Sequence, residues 1–285
     1  MKVGLQIYSV RDEVTKDPRG TLQKVADLGY KYWETCHMPA FPLGQSLGLP
    51  AKEAKALLDA NGVKIVGAHI SSQTDLEALA PVFEYNAALG GTRVGLSAHF
   101  FHDKDDVLRK CEQYNKTGEF AKKHYGMRFY YHNHFHEFQK MDGKYVMDLI
   151  AENTDPELVD LQLDTFWAAR GGVDPAEMIR RYRDRLIMLH QKDFNKNAGE
   201  PINLFEERVD MSKEITRDTY LEARKETSFA EVGTGVLPIQ KYIDAGNEAG
   251  IPYILLEQDF TFLNQMDSVR ISMESFRKYS GIEWS

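Results

Sequence analysis

The chain has 285 residues and a formal net charge of −8, with 42% hydrophobic and 27% charged residues. These values are typical of a globular protein with a full core, and the acidic balance argues against a protein that binds a nucleic-acid backbone. No apolar run approaches the ~18 residues that a membrane span requires. With two cysteines and no apolar leader at its start, we expect a cytoplasmic protein without a disulfide framework.

Short apolar runs alternate along the chain with amphipathic segments, in about eight units. The runs are nearly continuous, as expected for parallel strands that are buried on both faces. They cover residues 3–8, 30–35, 63–68, 92–96, 127–131, 158–163, 186–189 and 252–256.

Helices are predicted between these strands from a 3.6-residue period, Asp-Pro starts and Gly stops. They cover residues 18–28, 50–60, 74–89, 105–124, 145–153, 174–182, 237–249 and 268–279. Regular alternation of strand and helix gives a parallel sheet with right-handed crossovers, and eight units favour a closed barrel. We therefore predict an α/β fold, a single (β/α)₈ TIM-barrel domain over residues 1–285.

One connection is much longer than the others. Residues 195–229, between the seventh strand and its helix, are rich in charge, and residues 211–225 could form a short helix. A loop of this length in a compact domain is usually a lid or a contact surface.

Polar side chains follow most of the predicted strands at the point where each strand ends. Asp164 and Glu257 end strands six and eight, and eight of the nine histidines follow strands. These histidines are His37, His69, His99, His102, His132, His134, His136 and His190. Because a TIM barrel carries its active site at the C-terminal ends of its strands, we expect these side chains to converge.

The convergent set predicts a metal site. Imidazoles mixed with carboxylates suit Mn²⁺, Zn²⁺, Co²⁺ or Fe²⁺, and fit Mg²⁺ less well. We expect one divalent ion, held by His132, Asp164, His190 and Glu257. Such an ion polarises a carbonyl and stabilises an enediolate, while a nearby carboxylate or histidine moves the proton.

Six motifs carry a resemblance to a known family. They are LQIYSVRDE at 5–13, YYHNHFHEF at 130–138, LQLDTFWAARGGVDP at 161–175, LHQKDF at 189–194, EVGTG at 231–235 and ILLEQD at 254–259. Over nearly the whole chain the sequence resembles the xylose-isomerase-like TIM-barrel superfamily, of the sugar-phosphate isomerase/epimerase type. The resemblance implies one divalent ion held by a carboxylate, Asp, His and Glu at the ends of strands five to eight. Asp164, His190 and Glu257 match this pattern.

Two positions depart from the family pattern. His132 stands in place of the strand-five carboxylate, which in the epimerases is also one of two opposed bases. Glu137 could serve instead, either as a base or as the ligand. Trp167 stands where relatives of endonuclease IV carry a histidine, which argues against DNA-repair chemistry.

Further residues are candidates for substrate contacts, each with an ordinary structural alternative. Substrate-binding candidates are His69, His134, Trp167, Glu34 and Arg11; the alternatives are loop hydrogen bonds, packing and ion pairs. Lys192 would stabilise the enediolate, beside Glu257 and Glu137 as the other catalytic candidates. Gly233 and Gly235 could form a phosphate-binding turn or an ordinary tight turn.

The sequence thus predicts a metal-dependent sugar or polyol isomerase or epimerase. Two alternatives stay open. One is a lyase or dehydratase for an inositol-derived or keto-glycoside substrate, and the other is a non-catalytic sugar-binding barrel whose metal site has no open position. The expected partner is a small-molecule sugar, with no nucleic acid and no membrane. Assembly as a homo-oligomer is left open.

Overall fold

Eight parallel strands close into a barrel in the computed structural model, which describes residues 1–70 and 75–284. The strands are β1 Lys2–Gln6, β2 Tyr32–Cys36, β3 Lys64–Ile70, β4 Arg93–Leu96, β5 Arg128–His132, β6 Val159–Asp164, β7 Leu186–Gln191 and β8 Tyr253–Leu256. Their spatial order is β1-β8-β7-β6-β5-β4-β3-β2, and β1 pairs with both β8 and β2. The predicted TIM barrel is confirmed.

Helices connect the barrel strands. They are α1 Arg11–Lys16, α2 Pro18–Asp27, α3 Ala51–Ala60, α4 Ala80–Ala88, α5 Lys104–Tyr125, α6 Val146–Asn153, α7 Thr165–Arg170, α8 Pro175–Arg181, α9 Leu204–Glu207, α10 Arg217–Ala223, α11 Ile239–Glu248 and α12 Gln265–Phe276. The two Asp-Pro starts behave as predicted, because the carboxylates of Asp17 and Asp174 accept backbone hydrogen bonds at the first turns of α2 and α8.

Several helices differ from the sequence prediction: the short helices α1 and α9 were not predicted, and α12 lies three residues earlier than the predicted 268–279. The predicted helix over 74–89 begins later, as α4, and Thr74 lies outside the described residues. Helix α7 was not predicted, because it is a short apolar segment that directly follows the end of β6. It begins there because the Asp164 carboxylate accepts a hydrogen bond from the Trp167 backbone N–H at 2.8 Å.

The long segment 195–229 is folded against the barrel. Its ends are tied together by two short antiparallel strands, Asp193–Phe194 and Phe229–Ala230. The predicted helix over 211–225 is shorter, and forms α10, which Thr216 caps. Tyr220 of α10 is buried against Phe135 and Trp167.

The barrel interior changes from apolar at its base to polar at its top. The base is filled by Tyr32, Val66, Tyr130, Met188 and Leu255. Polar side chains succeed them along the same strands, since alternate residues share a face. In the described part of the chain, no helix combines the length and apolar character that crossing a bilayer requires.

Candidate active site

The four predicted ligand residues come together at the top of the barrel. One ligand atom from each of His132, Asp164, His190 and Glu257 lies within 4.8 Å of the others, and all four residues are buried. The sequence places them together because β5, β6, β7 and β8 are consecutive around the barrel and end at the same edge.

His190 is held between two carboxylates. Its Nε2 donates to Glu34 Oε2 at 2.6 Å, and its Nδ1 lies 3.0 Å from Glu257 Oε2. Burial lowers the pKa of His190, but Glu34 and Glu257 outweigh this and raise it to about 10. A proton kept on Nε2 by Glu34 leaves Nδ1 as the nitrogen that can bind an ion.

His132 is oriented by a glutamine that sequence reasoning missed. Gln162 Oε1 accepts a hydrogen bond from His132 Nδ1 at 2.8 Å, and Gln162 Nε2 donates to Glu34 Oε1 at 2.8 Å. The Nε2 of His132 therefore faces Asp164, with 4.0 Å between that nitrogen and Oδ2. Burial, with the nearby His190 and His69, lowers the pKa of His132 well below its usual value, so this imidazole is neutral.

Lys192 is the counter-charge of the cluster. Its buried ammonium contacts Asp164 Oδ2 and lies 2.5 Å from Glu257 Oε2. Burial lowers the pKa of Lys192, but the two carboxylates outweigh this and raise it. Burial raises the pKa of Asp164 to about 6 despite the lysine, whereas Lys192 and His190 overcome burial and hold the pKa of Glu257 well below its usual value.

These residues fit a divalent ion of the transition series. Donors on opposite sides of such an ion lie roughly 4 Å apart, close to the spacing of this group. Each imidazole has one nitrogen engaged by a hydrogen-bond acceptor and presents the other nitrogen to the group. The position between the carboxylates of Asp164 and Glu257 already holds a cation, the Lys192 ammonium.

Glu137 is not brought into this cluster. Its carboxylate accepts hydrogen bonds from the Tyr131 hydroxyl at 2.5 Å and from the His134 backbone N–H at 2.8 Å, and it lies 3.3 Å from His136 Nε2. These hydrogen bonds hold it there, because residues 136–138 form a 3₁₀ turn just after β5 that directs Glu137 toward Tyr131.

The predicted substrate contacts are distributed over several environments. His69 joins His132 and His190 in a second group of close ligand atoms, and both His69 and His134 line the central cavity. Glu34 is fully buried beneath the cluster, where burial raises its pKa but His69 and His190 outweigh this and lower it to about 2.

Trp167 and Arg11 lie behind the cavity wall. Trp167 is buried, 5.5 Å from the His134 ring. Arg11 donates to the backbone carbonyls of Tyr8 and Asp259 and stacks on the Tyr8 ring.

A cavity of about 250 Å³ opens over the cluster. His132 and Glu257 of the ligand group line it, together with His69 and His134. Other lining residues were not predicted as substrate contacts, among them Tyr8, Tyr220, Arg224 and Asp259. The charge and the aromatic residues of 195–229 were the signal for Arg224 and Tyr220. Asp259 stands two residues after Glu257, beyond the end of β8, where strand alternation no longer applies.

The glycine turn at 233–235 is occupied by a carboxylate of the protein itself. Asp193 Oδ2 accepts hydrogen bonds from the backbone N–H groups of Gly233 and Gly235, and Oδ1 accepts one from Leu237, each at 3.0 Å. A Cβ at Gly235 would lie 2.4 Å from Asp193 Oδ1. The turn is a tight structural turn around Asp193.

A closed parallel barrel with metal-competent side chains gathered at the C-terminal ends of its strands defines the class of TIM barrels with a small-molecule site at that face. Comparison with known families identifies the family of TIM barrels to which the chain belongs. The family model described as xylose isomerase-like TIM barrel matches residues 22–279, and the chain belongs to this family.

Several known proteins are similar to the chain. An inosose dehydratase of Clostridium perfringens is 29% identical over 162 residues, which cover 55% of this chain and 49% of that protein. The chain spans about half the length of the curated relatives it matches.

Solved structures show the same fold. A sugar phosphate isomerase/epimerase from Parabacteroides distasonis has a TM-score of 0.75 at 23% identity, over 99% of this chain and 95% of that one. The IolI protein with a bound zinc atom has a TM-score of 0.70 at 12% identity, over 97% and 96% of the two chains.

Proposed function

We propose that this protein is a cytoplasmic, metal-dependent enzyme that removes the proton beside the carbonyl of a keto-sugar or keto-polyol. The proton goes to Glu257, the carbon–oxygen bond of a β-hydroxyl then breaks, and the protonated Glu257 returns its proton to the departing hydroxide, which leaves as water. The proposed reaction is a dehydration. The name of the inosose dehydratase relatives supports this choice, as does the ligand group described above.

A divalent ion held by His132, Asp164, His190 and Glu257 would supply a Lewis acid that polarises the carbonyl oxygen. The zinc-bound neighbour of the same fold supports this assignment. Within the chain, Glu257 is suited to receive the proton because it belongs to the ligand group and also lines the cavity. Lys192 limits the build-up of negative charge, since it contacts both Asp164 and Glu257.

We choose dehydration over epimerisation because of where Glu137 lies. Inversion at carbon needs an acid that returns the proton from the face opposite the base. On the strand-five side the cavity carries His132 and His134, and burial lowers the pKa of both well below the usual value, so they are poor proton donors. Glu137, the carboxylate that could replace them, is engaged by Tyr131 and the His134 backbone instead.

Isomerisation is the second candidate, because one base can move a proton between adjacent carbons. Glu257 supports it, because this carboxylate belongs to the ligand group and also lines the cavity, so it can take the proton from one carbon and return it to the next.

The first test is metal content by elemental analysis, on the wild type and on His132→Ala, Asp164→Ala and Glu257→Ala. We expect near-stoichiometric Mn, Zn, Co or Fe in the wild type and loss of the metal in each variant. Lys241→Ala, a change at an exposed pair with Asp174, should retain it. A wild type that takes up no ion after dialysis against excess Mn²⁺ and Zn²⁺ would end the proposal and favour a sugar-binding barrel.

The second test separates the reactions. The metal-loaded protein is incubated with keto-inositols and ketoses in D₂O. Dehydration gives an unsaturated product with a new ultraviolet absorbance. Isomerisation gives an isomeric sugar that has lost no water and carries deuterium at carbon. Absence of both deuterium uptake and product across the panel would contradict proton abstraction.

A further inference from the structure

The rim of the cavity carries an ion pair with unused hydrogen-bonding capacity. Arg224, from segment 195–229, has a guanidinium nitrogen 3.9 Å from Asp259 Oδ1. Asp259 is only 6% exposed, and both residues line the cavity. Within residues 1–70 and 75–284, neither Asp259 Oδ2 nor Arg224 Nε has a hydrogen-bond partner. Because buried polar atoms are normally paired, these two atoms point to a ligand.

The pair lies one sugar length from the ligand group. Glu257 and Asp259 are two residues apart, so their Cα atoms lie at most roughly 7 Å apart whatever the local conformation. A ring or open chain of five or six carbons that reaches the ligand group can therefore also reach the pair. A carboxylate accepts from a hydroxyl and a guanidinium donates to one, so together they suit two adjacent hydroxyl groups.

The same arrangement leaves little positive charge for a phosphate group. Among the described residues, Arg224 is the one lysine or arginine that lines the cavity, and Asp259 compensates its charge. TIM barrels frequently bind phosphate at the loops that follow strands seven and eight. In this barrel the N–H groups of Gly233, Gly235 and Leu237 are taken by Asp193.

We propose that Arg224 and Asp259 bind adjacent hydroxyl groups of an uncharged keto-sugar or keto-polyol, and that the cavity rejects phosphorylated sugars. The inference rests on the proposed function and narrows its substrate class. It separates this protein from the sugar phosphates in the name of its structural neighbour.

The claim that Asp259 neutralises Arg224 and so prevents phosphate binding can be tested without a sugar. Inorganic phosphate is titrated into metal-free protein and followed by calorimetry, so that phosphate cannot bind through an ion. We expect no saturable binding at millimolar phosphate for the wild type, but binding for Asp259→Asn, which frees Arg224. Glu226→Gln removes the same charge from an exposed position of the same segment and should behave as the wild type. Equal phosphate binding by Asp259→Asn and Glu226→Gln would overturn the inference.

Hydroxyl recognition is tested on metal-loaded protein. D-Fructose is compared with D-fructose 6-phosphate, and a keto-inositol with an inositol monophosphate. We expect the uncharged member of a pair to bind more tightly, and Asp259→Asn and Arg224→Gln each to weaken it roughly tenfold, as loss of a charged hydrogen bond does. Arg224→Gln should not gain phosphate binding, and it remains informative if Asp259→Asn does not fold.

The outcomes separate the two proposals. Deuterium exchange confined to phosphorylated sugars would leave the proposed chemistry standing and refute the substrate class. If no sugar binds or exchanges, the proposed function fails, and the phosphate titration still decides whether Asp259 neutralises Arg224.

Discussion

Replacing Lys192 by methionine tests whether its ammonium substitutes for a metal ion between Asp164 and Glu257. Methionine keeps much of the side-chain length and removes the charge. The ligand atoms of the two carboxylates lie within 4.8 Å of each other. At an effective dielectric constant near 20, two negative charges at that separation repel by about 3.5 kcal/mol. This agrees with the roughly 3–5 kcal/mol that breaking a buried ion pair costs.

We therefore expect metal-free Lys192→Met to lose about 3–4 kcal/mol of unfolding free energy, measured in urea at pH 8. The ion no longer has to displace the ammonium, so its affinity for the same protein should rise about a hundredfold, by calorimetric titration. Lys241→Met breaks a surface pair with Asp174 and should cost at most about 1 kcal/mol. Equal stabilities of the two variants, or weaker metal binding by Lys192→Met, would refute the reasoning.

Three further predictions concern residues in the ligand group and in the barrel interior beneath it. Glu34→Gln removes the charged acceptor of His190 Nε2, and metal affinity measured by competitive chelation should fall about tenfold; an unchanged affinity would show that this hydrogen bond does not orient the ligand. The pKa of His190 is raised from its ordinary value near 6.5 to about 10, so its charged imidazolium stabilises the metal-free protein fully below pH 6.5. We expect this contribution to the free energy of unfolding to be lost as pH rises toward 10. Over pH 7–9 the metal affinity should instead rise about tenfold per pH unit, with one proton released per ion in calorimetry across buffers, whereas a flat profile would contradict a protonated ligand. Gly95→Ala places a Cβ 2.2 Å from the Tyr130 ring, so thermal or urea unfolding should show a loss of about 1–3 kcal/mol, and no loss would mean that the ring moves freely.

The barrel itself could be predicted because each strand is a short apolar run that is buried on both faces. The ends of β6, β7 and β8 were visible for a second reason: a carboxylate or imidazole directly after an apolar run is costly unless it is paired. Asp164, His190 and Glu257 were found by this rule.

Other parts of the site depend on contacts that sequence spacing does not contain. Gln162 was missed because an amide inside a strand carries no distinctive signal, although its two ends orient His132 and contact Glu34. Glu137 follows the histidines directly in sequence, but a 3₁₀ turn and the Tyr131 hydroxyl take it away from them. Arg224 reaches the cavity through the fold of a 35-residue segment, which local patterns cannot give.

The division of the cavity between strand ends and segment 195–229 has a consequence for how new specificities arise. The ligand group belongs to the rigid barrel, whereas Tyr220 and Arg224 belong to a segment whose ends meet in one short strand pair. Exchange or mutation of that segment would alter what the pocket accepts while the inherited reactive centre stays intact. Grafting of the segment between relatives, at residues 195 and 229, is therefore a direct route to barrels that share one reaction but accept different substrates.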